Sequence, residues 1–599
     1  MASPYTQAQR IGRLDTPLGS DRLALTSFEG SETVSRLFEY RVEAINAEKA
    51  LLTFDDAIGK HCTVKLKTVD GSERIFDGML AEARWIDVSD EGNHYELILR
   101  PWLWVLSKRV NSLIFHEKTA PQIIDQVLAE HGGLADFQQS LSRSYRKREY
   151  CAQYNESDMD FVCRLMEEEG IFYFFRHSVG AHKMIMGDSS SASVPVAGGS
   201  RPFITIAAQH NRDTEHLSMW RPERRFTTGK VATTDYNFEK PSSNMKSEKT
   251  GDAKYEHGKL ESYLYPGRYA EQSEGIDYAQ VRLDMSRAED NRFHAEGDCA
   301  SLYPGTLVDL TDHPDSNQNK QYFVLRASHS FKEQSYRSGA GPSQAYQGVY
   351  EFMRSDQTFA PAAVTARPFI RGPQTAVVVG DGEIDCDKYG RILVRFHWDR
   401  KSDKSRRVRV AQVSAGQSWG AIFIPRVGHE VVVDFLEGDP DQPIVIGSVY
   451  NADNMPPFEL PGSKNISGWK SNSTTGGGGY NELVLDDSKG SELVRFHAQK
   501  NLDSTVEHNE SRHVKHDRTT TVDHDETLKV ANEILIKAGT KITIQCGQSS
   551  ITMDPTSIKI EALTVEISAD MQFKSTSKML SQHEASAMMI INGTLVKIN

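Results

Sequence analysis

Four valines, Val506, Val514, Val522 and Val530, stand eight residues apart, and each opens a similar tetrad: VEHN, VKHD, VDHD, VANE. An eight-residue unit has room for one short strand and a turn. One such strand per unit cannot bury a core within its own chain, so the repeat needs other chains beside it. Three copies wound together satisfy this, with the four valines lining a common axis as the trimer core. Alternation of apolar residues continues after the octads, at Ile534 and Ile536, Ile542 and Ile544, Ile558 and Ile560, then Leu563, Val565 and Ile567. Gly539, Gly547, Asp554-Pro555 and Asn592-Gly593 punctuate it as turns. The expectation is an all-β rod whose strand edges are paired between chains, which removes the aggregation hazard of open edges.

The last apolar residues are Met588, Met589, Ile590, Ile591, Val596 and Ile598. They read either as an apolar platform for a partner or as residues that close the rod core. His508, His516 and His524 recur in the octads. In a trimer they would form three rings of three, a geometry open to metal. The residue after each is Asn, Asp and Asp, which suits a surface turn, and no metal or cofactor is expected.

The rest of the chain is too long for one core, since 599 residues suggest roughly three to four domains. A mean hydropathy of -0.51 comes with no apolar run able to span a bilayer. The first residues, MASPYTQAQRIGRLDTPLGSD, contain no apolar h-region, so no Sec signal is visible. The net charge of -13 argues against general nucleic-acid binding, which needs a basic footprint. The six cysteines form no C-x-x-C pair and are spread over the chain, which predicts small buried or half-buried thiols in a reducing compartment.

Up to about residue 368 the pattern is mixed α+β. Leu23 to Phe28, Cys62 to Thr68 and Tyr95 to Leu99 read as strands. One helix is expected over Thr119 to Glu130, with Pro121 in its first turn, Ile123, Ile124, Val127 and Leu128 inward, and Gly132 as its stop. A second follows Ser157, with Asp158 and Asp160 in its first turn, a stripe of Phe161, Val162, Leu165 and Met166, and Gly170 at its end. Ile171 to Phe175 then continues as a strand. Glu167, Glu168 and Glu169 read as a solvated face, because neighbours on a helix do not face each other.

Residues 369–455 look like a small OB-type barrel. Ile392, Val394, Phe396 and Trp398 alternate with Leu393, Arg395 and His397. AIFIPRVGHEVVVDFLEGDPDQPIVIGSVYN reads as three strands with turns at PRVG and EGDPDQ. Residues 456–480, rich in Pro, Gly and Ser, read as a linker, with the rod over 481–599.

Taken together, these stretches resemble the valine-glycine repeat spike proteins (VgrG) of bacterial type VI secretion systems. The resemblance lies in CAQYNESDMDFVCRLMEEEGIFYFF, YLYPGRY, RGPQTAVVVG, DKYGRILVRFHWDR, IPRVGHEVVVDFLEGDPDQPIVIGSVYN and GYNELVLDDSKGSELVRFHAQKN. Two departures occur. KSRRVRV (Lys404 to Val410) stands where the family usually has Ser-Cys-Trp before V-R-V, and Gly382-Glu383-Ile384 replaces a common Glu-Glu-Ile. The resemblance implies a homotrimer like the fused hub and needle of a contractile phage tail. Its implied partners are a hexameric tube protein, baseplate proteins, a PAAR-type tip protein, and effector toxins with their adaptors. It also implies assembly in the cytoplasm and release through the contractile apparatus.

Other chemistry finds little support in the residues. G-x-S-x-G, H-E-x-x-H and the phosphate-loop pattern do not occur. The Gly476 to Gly479 run has no phosphate-loop Lys. No carboxylate pair is singled out for glycan cleavage. Arg391, Arg395, Arg400, Lys401, Lys404, Arg406, Arg407 and Arg409, beside Phe396 and Trp398, admit a nucleic-acid surface; the alternation instead points the rings inward and leaves a basic face for an acidic neighbour. A spike, a cell-wall hydrolase, an OB-type nucleic-acid binder and a phage hub-needle are the functional classes the sequence leaves open, the motifs favouring the first.

Overall fold

The computed structural model describes residues 5–205, 214–333, 346–401 and 406–598, and divides into a unit up to Asn501 and a unit from Leu502. Lys404 and Asp403 of the basic stretch lie outside the described residues.

The first unit opens with a large, mostly antiparallel sheet. Its strands run in the spatial order Gly12–Asp15, His61–Lys67, Glu73–Ser89, Gly92–Arg100, Glu39–Asn46, Ala24–Thr33, Gln321–Lys332, Tyr346–Arg354, Arg292–Gly297 and Leu217–Glu223. Strand Ala24–Thr33 meets Gln321–Lys332, so two halves far apart in sequence share one sheet. One apolar cluster, around Phe28, Phe38, Tyr40, Phe76 and Trp102, fills the first half. Another, around Trp220, Phe293, Tyr322 and Phe352, fills the second.

Both helices read from the sequence form. Helix Ala120–Ala129 starts at Thr119, whose hydroxyl accepts from Gln122 N at 3.4 Å while Gln122 Oε1 accepts from Thr119 N at 3.0 Å. It ends at Glu130 as expected, but the left-handed glycine beyond that end is Gly133, not Gly132. Helix Asp158–Glu169 is capped by Ser157, which accepts from Asp160 N at 3.0 Å. Gly170 ends it at φ +67°, where a Cβ would also lie 2.8 Å from Val281 Cγ1, so only glycine fits.

A longer helix, Gln272–Arg287, gave no signal in the sequence reading. Its buried positions are Gly275, Ala279, Val281 and Leu283, and its half-buried face carries Tyr278 and Arg282. Small and polar residues therefore stand where an apolar stripe would have announced it.

The barrel is closed. Strands Gln374–Val379, Ile392–Phe396, Arg407–Val410, Pro443–Val449 and Glu430–Phe435 pair in that order and back to the first. Ala376, Val378, Ile392, Val394, Phe396, Val408, Val431, Val433 and Val445 fill it. Each of the valine, isoleucine and phenylalanine side chains contributes about 1.5–3 kcal/mol by leaving water. Trp398 is only half-buried, stacked on Phe396 with ring centroids 5.1 Å apart. Ala421 to Pro425 is not a strand, contrary to the sequence reading: Ile422 and Phe423 point into solvent, so no pleated partner surface holds them.

The segment read as a linker contains strand Ile466–Lys470, which pairs with Glu482–Asp486, itself paired with Leu493–His497. The Gly-rich run joins two strands of this sheet. A Pro/Gly/Ser-rich composition hid the strand, because both ends of the hairpin loop resemble linker chemistry.

In the second unit, Ile542–Cys546, Ser549–Met553 and Ile558–Glu561 form a three-stranded antiparallel sheet with its first turn at Gly547. Outside that sheet, residues 502–541 and 562–598 make no backbone–backbone hydrogen bond within the chain. Bends recur at 507–508, 515–516, 523–524, 531–532 and 539–540, then at 570–571, 578–579 and 586–587. The eight-residue period thus runs well past Val530, where the sequence shows no repeated valine.

Candidate functional site

The octad valines sit just before the bends. Val506, Val514, Val522 and Val530 are 51, 47, 48 and 49% exposed. Large apolar side chains half in water, on a backbone whose N–H and C=O groups find no partner in their own chain, define a surface incomplete in one copy. Met588, Met589, Ile590, Ile591, Val596 and Ile598 are exposed as well. The barrel adds an apolar group that the sequence reading missed: Val413, Trp419, Ile422 and Phe423, all exposed in the loop before the turn at Arg426 to Gly428. Assignment to a strand concealed Ile422 and Phe423, and the sequence reading did not consider Val413 or Trp419.

The octad histidines point outward. His516 and His524 each place Nδ1 2.8 Å from the carboxylate of the next residue, Asp517 and Asp525. That is turn chemistry.

Among the described residues, one cluster has metal-ligand composition: His61, Asp77 and His182, with their candidate atoms within 4.8 Å of one another. Its hydrogen bonds do not fit a metal. His182 Nε2 accepts from the Trp102 backbone N–H at 2.8 Å, so Nδ1 carries the proton and donates to Asp77 Oδ1 at 3.0 Å. Asp77 Oδ2 accepts from the Thr63 hydroxyl at 2.7 Å. Burial lowers the His182 pKa, while the hydrogen bond to Asp77 raises that of His61.

The Glu167–Glu169 run is not a solvated face, contrary to the sequence reading. Glu167 and Glu169 are buried and Glu168 half-buried. Glu167 accepts from Val364 N at 3.0 Å, Thr365 N at 2.9 Å and Thr365 Oγ1 at 2.9 Å. Arg148 reaches Glu168 at 2.9 Å and Glu169 at 2.6 Å, and Arg164 and Arg367 also pair with Glu168. Burial opposes the Glu168 charge, but Arg367, Arg148 and Arg164 hold its carboxyl well below the usual carboxylate range. These carboxylates are bound into a structural network with the segment that leads to the barrel.

The basic barrel stretch faces acids of the same chain. Lys401 pairs with Glu130, Arg406 lies 3.3 Å from Glu149, Arg407 2.6 Å from Asp385, and Arg391 2.7 Å from Asp387. Arg409 lies over the Phe238 ring, 5.0 Å from its centroid. Of the cysteines, Cys62, Cys151 and Cys299 are buried and Cys163 half-buried, but Cys386 and Cys546 are exposed, against expectation. Burial pushes the Cys62, Cys151 and Cys163 thiols up to about 12.

Family models match along most of the chain. Residues 31–335 match the phage tail baseplate hub (GPD), 374–450 the type VI secretion system/phage-baseplate injector OB domain, and 467–574 the bacteriophage T4 gp5 C-terminal trimerisation domain. Type VI secretion system spike protein VgrG1b of Pseudomonas aeruginosa is 38% identical over 515 residues, covering 84% of this chain and 69% of its own length. VgrG1a of the same organism is 36% identical, covering 84% and 80%. VgrG3 of Vibrio cholerae is 33% identical over 82% of this chain, which spans 50% of that protein. Among solved structures, the E. coli c3393 protein, a type VI secretion component similar to T4 tail proteins gp27 and gp5, superposes with a TM-score of 0.52. That match has 20% identity and covers 73% of this chain and 100% of that one. A chain of the lidded Francisella PdpA-VgrG complex gives 0.51 at 9% identity, covering 79% and 76%. At this identity and coverage, with hub, barrel and trimerisation segments matched along its length, the chain belongs to the VgrG family of type VI secretion system spike proteins.

Proposed function

We propose that three copies of this chain assemble into a spike that crosses a target envelope under the force of a contractile apparatus and carries cargo with it. The observation that carries this reading is the second unit. Residues 502–541 have half-exposed valines every eight residues and no backbone hydrogen bonds of their own. Three copies would supply the missing ladder partners and enclose Val506, Val514, Val522 and Val530 on one axis. Intertwined chains cannot separate locally, so the assembly would resist force through a high unfolding barrier.

The exposed residues from Met588 to Ile598 would receive a PAAR-type tip protein, and effectors with adaptors would travel on the same assembly. The hub would stand on the hexameric tube and the baseplate, and release would follow the contractile route rather than Sec. The spike would act without catalysis of its own: its most conspicuous carboxylates, Glu167 to Glu169, are committed to arginines and backbone amides.

The test is the native mass by light scattering, with and without Gly490 to Asn599. A trimer that is lost on deletion supports the reading. A stable full-length monomer ends it.

A further inference from the structure

The hub holds a cavity of about 320 Å³ between strand Glu261–Leu264, helix Gln272–Arg287, helix Asp158–Glu169 and the segment leading into the barrel. Its walls carry Arg146, Arg268, Arg282 and Arg367, with Ser262 and Thr365 beside them. Such a density of guanidinium groups in a half-enclosed space requires compensation.

That compensation is incomplete. Arg367 is matched, by Glu168 and by Asp439 and Asp441 at 3.6 and 3.7 Å. Arg146 spends Nε on the Tyr278 hydroxyl at 2.7 Å and Nη2 on the Arg268 carbonyl at 2.8 Å, and its ion-pair partner Glu274 is 3.9 Å away. Arg282 donates to neutral oxygens, Thr233 Oγ1 at 3.2 Å and Gly267 O at 3.3 Å, and forms no ion pair among the described residues. Arg268 has one acidic partner, Asp439 Oδ2 at 3.3 Å from its Nε, and shares that carboxylate with Arg367. Burial first, then neighbouring arginines, lowers the pKa of both Arg268 and Arg282, the mark of positive charge held without enough negative charge.

We propose that this cavity binds a small oxyanion of the phosphate or carboxylate class, held by Arg282, Arg268 and Arg146. Planar guanidinium forks suit such anions, and charge-assisted bonds to them are strong. The bound anion ties Arg282 of helix Gln272–Arg287 to Arg268 and Arg146, so occupancy stiffens this part of the hub. This goes beyond the spike reading and does not depend on it.

The experiment uses the full-length protein and inorganic phosphate, with citrate as the carboxylate arm and sodium chloride at matched ionic strength as control. Thermal unfolding and titration calorimetry are the readouts. Phosphate or citrate raises the unfolding midpoint above the chloride control, and the stronger of the two identifies the class. Arg282→Gln weakens binding by on the order of tenfold or more. Ser262→Asp, which brings a carboxylate into the cavity, raises the midpoint in chloride and abolishes the phosphate response. Equal midpoints in phosphate, citrate and chloride overturn the proposal. So does an Arg282→Gln protein that responds like the parent, or a Ser262→Asp protein less stable than the parent.

Discussion

The indole of Trp398 meets the ring of Tyr154 edge-on, with centroids 5.3 Å apart, and Gln374 bridges the two. Trp398 Nε1 donates to Gln374 Oε1 at 2.8 Å, and Gln374 Nε2 donates to the Tyr154 hydroxyl at 2.8 Å. Tyr154 belongs to hub strand Arg148–Ser157 and the other two to the barrel, so this polar bridge and ring contact join the two parts alongside Lys401–Glu130 and Arg406–Glu149. Tyr154→Phe keeps the ring and removes one hydrogen bond, an expected loss of about 1 kcal/mol. Trp398→Ala removes the edge contact, worth about 0.5–1.5 kcal/mol, in addition to its buried area. Limited proteolysis between residues 355 and 373 is therefore expected to quicken more in Trp398→Ala than in Tyr154→Phe. The reverse order would show that the bridge, not the ring, holds the barrel.

Glu168 offers a sharper test. Three arginines share its carboxylate, and neutralising it leaves them buried with too little charge. Breaking a buried pair from one side costs about 3–5 kcal/mol, so Glu168→Gln is expected to lower the urea midpoint of hub unfolding by that equivalent. The folded pKa lies below the unfolded one, so the contribution is present above the unfolded pKa of about 4.3 and is lost as pH falls further. The difference between parent and variant should shrink under acid. A Glu168→Gln protein as stable as the parent at neutral pH would show that the arginines find other partners.

Histidines give the hub a second pH dependence. Burial lowers the pKa of His177, His182 and His329, and Arg74 pushes His177 and His329 down further. The unfolded chain takes up these protons near pH ~6.5 and the folded hub does not, so acidification below that point favours unfolding. His61 opposes this, because its raised pKa adds stability below pH ~6.5 that fades as pH rises through its folded pKa. Three groups outweigh one, at up to about 1.4 kcal/mol per pH unit each. The thermal midpoint is expected to fall between about pH 7 and pH 5.5. A midpoint that holds or rises over that interval would mean that His61 dominates.

Much of this architecture was legible because it obeys local rules. Ser157, Asp158, Asp160 and Gly170 bracket their helix as capping chemistry requires, and the barrel strand from Ile392 to Phe396 alternates as a half-buried strand must. What stayed hidden depends on contacts distant in sequence. The charges of Glu167 to Glu169 look solvated until Arg148, Arg367 and the amides of Val364 and Thr365 are folded onto them, up to 199 residues away. Helix Gln272–Arg287 was invisible because only Val281 and Leu283 among its buried positions are large and apolar, the others being Gly275 and Ala279. The octads were legible only while valine marked them, although the bends keep the period through residue 587.

The trimer core admits a test that separates inward from outward positions. Val514 and Lys515 are adjacent, but only the valine belongs to the eight-residue series. In the proposed trimer, Val514→Asp would place three carboxylates on one axis, each desolvated at a cost of several kcal/mol and each repelling the others. Lys515→Asp changes charge at a bend in solvent, where substitutions stay within about 0.5 kcal/mol. The expected result by light scattering is a trimer for Lys515→Asp and dissociated chains for Val514→Asp. Two trimers would move Val514 off the axis. Dissociation of both would point to repulsion across the whole repeat instead of a valine core, and high salt, which shortens the screening length to about 3 Å at 1 M, would then recover both trimers.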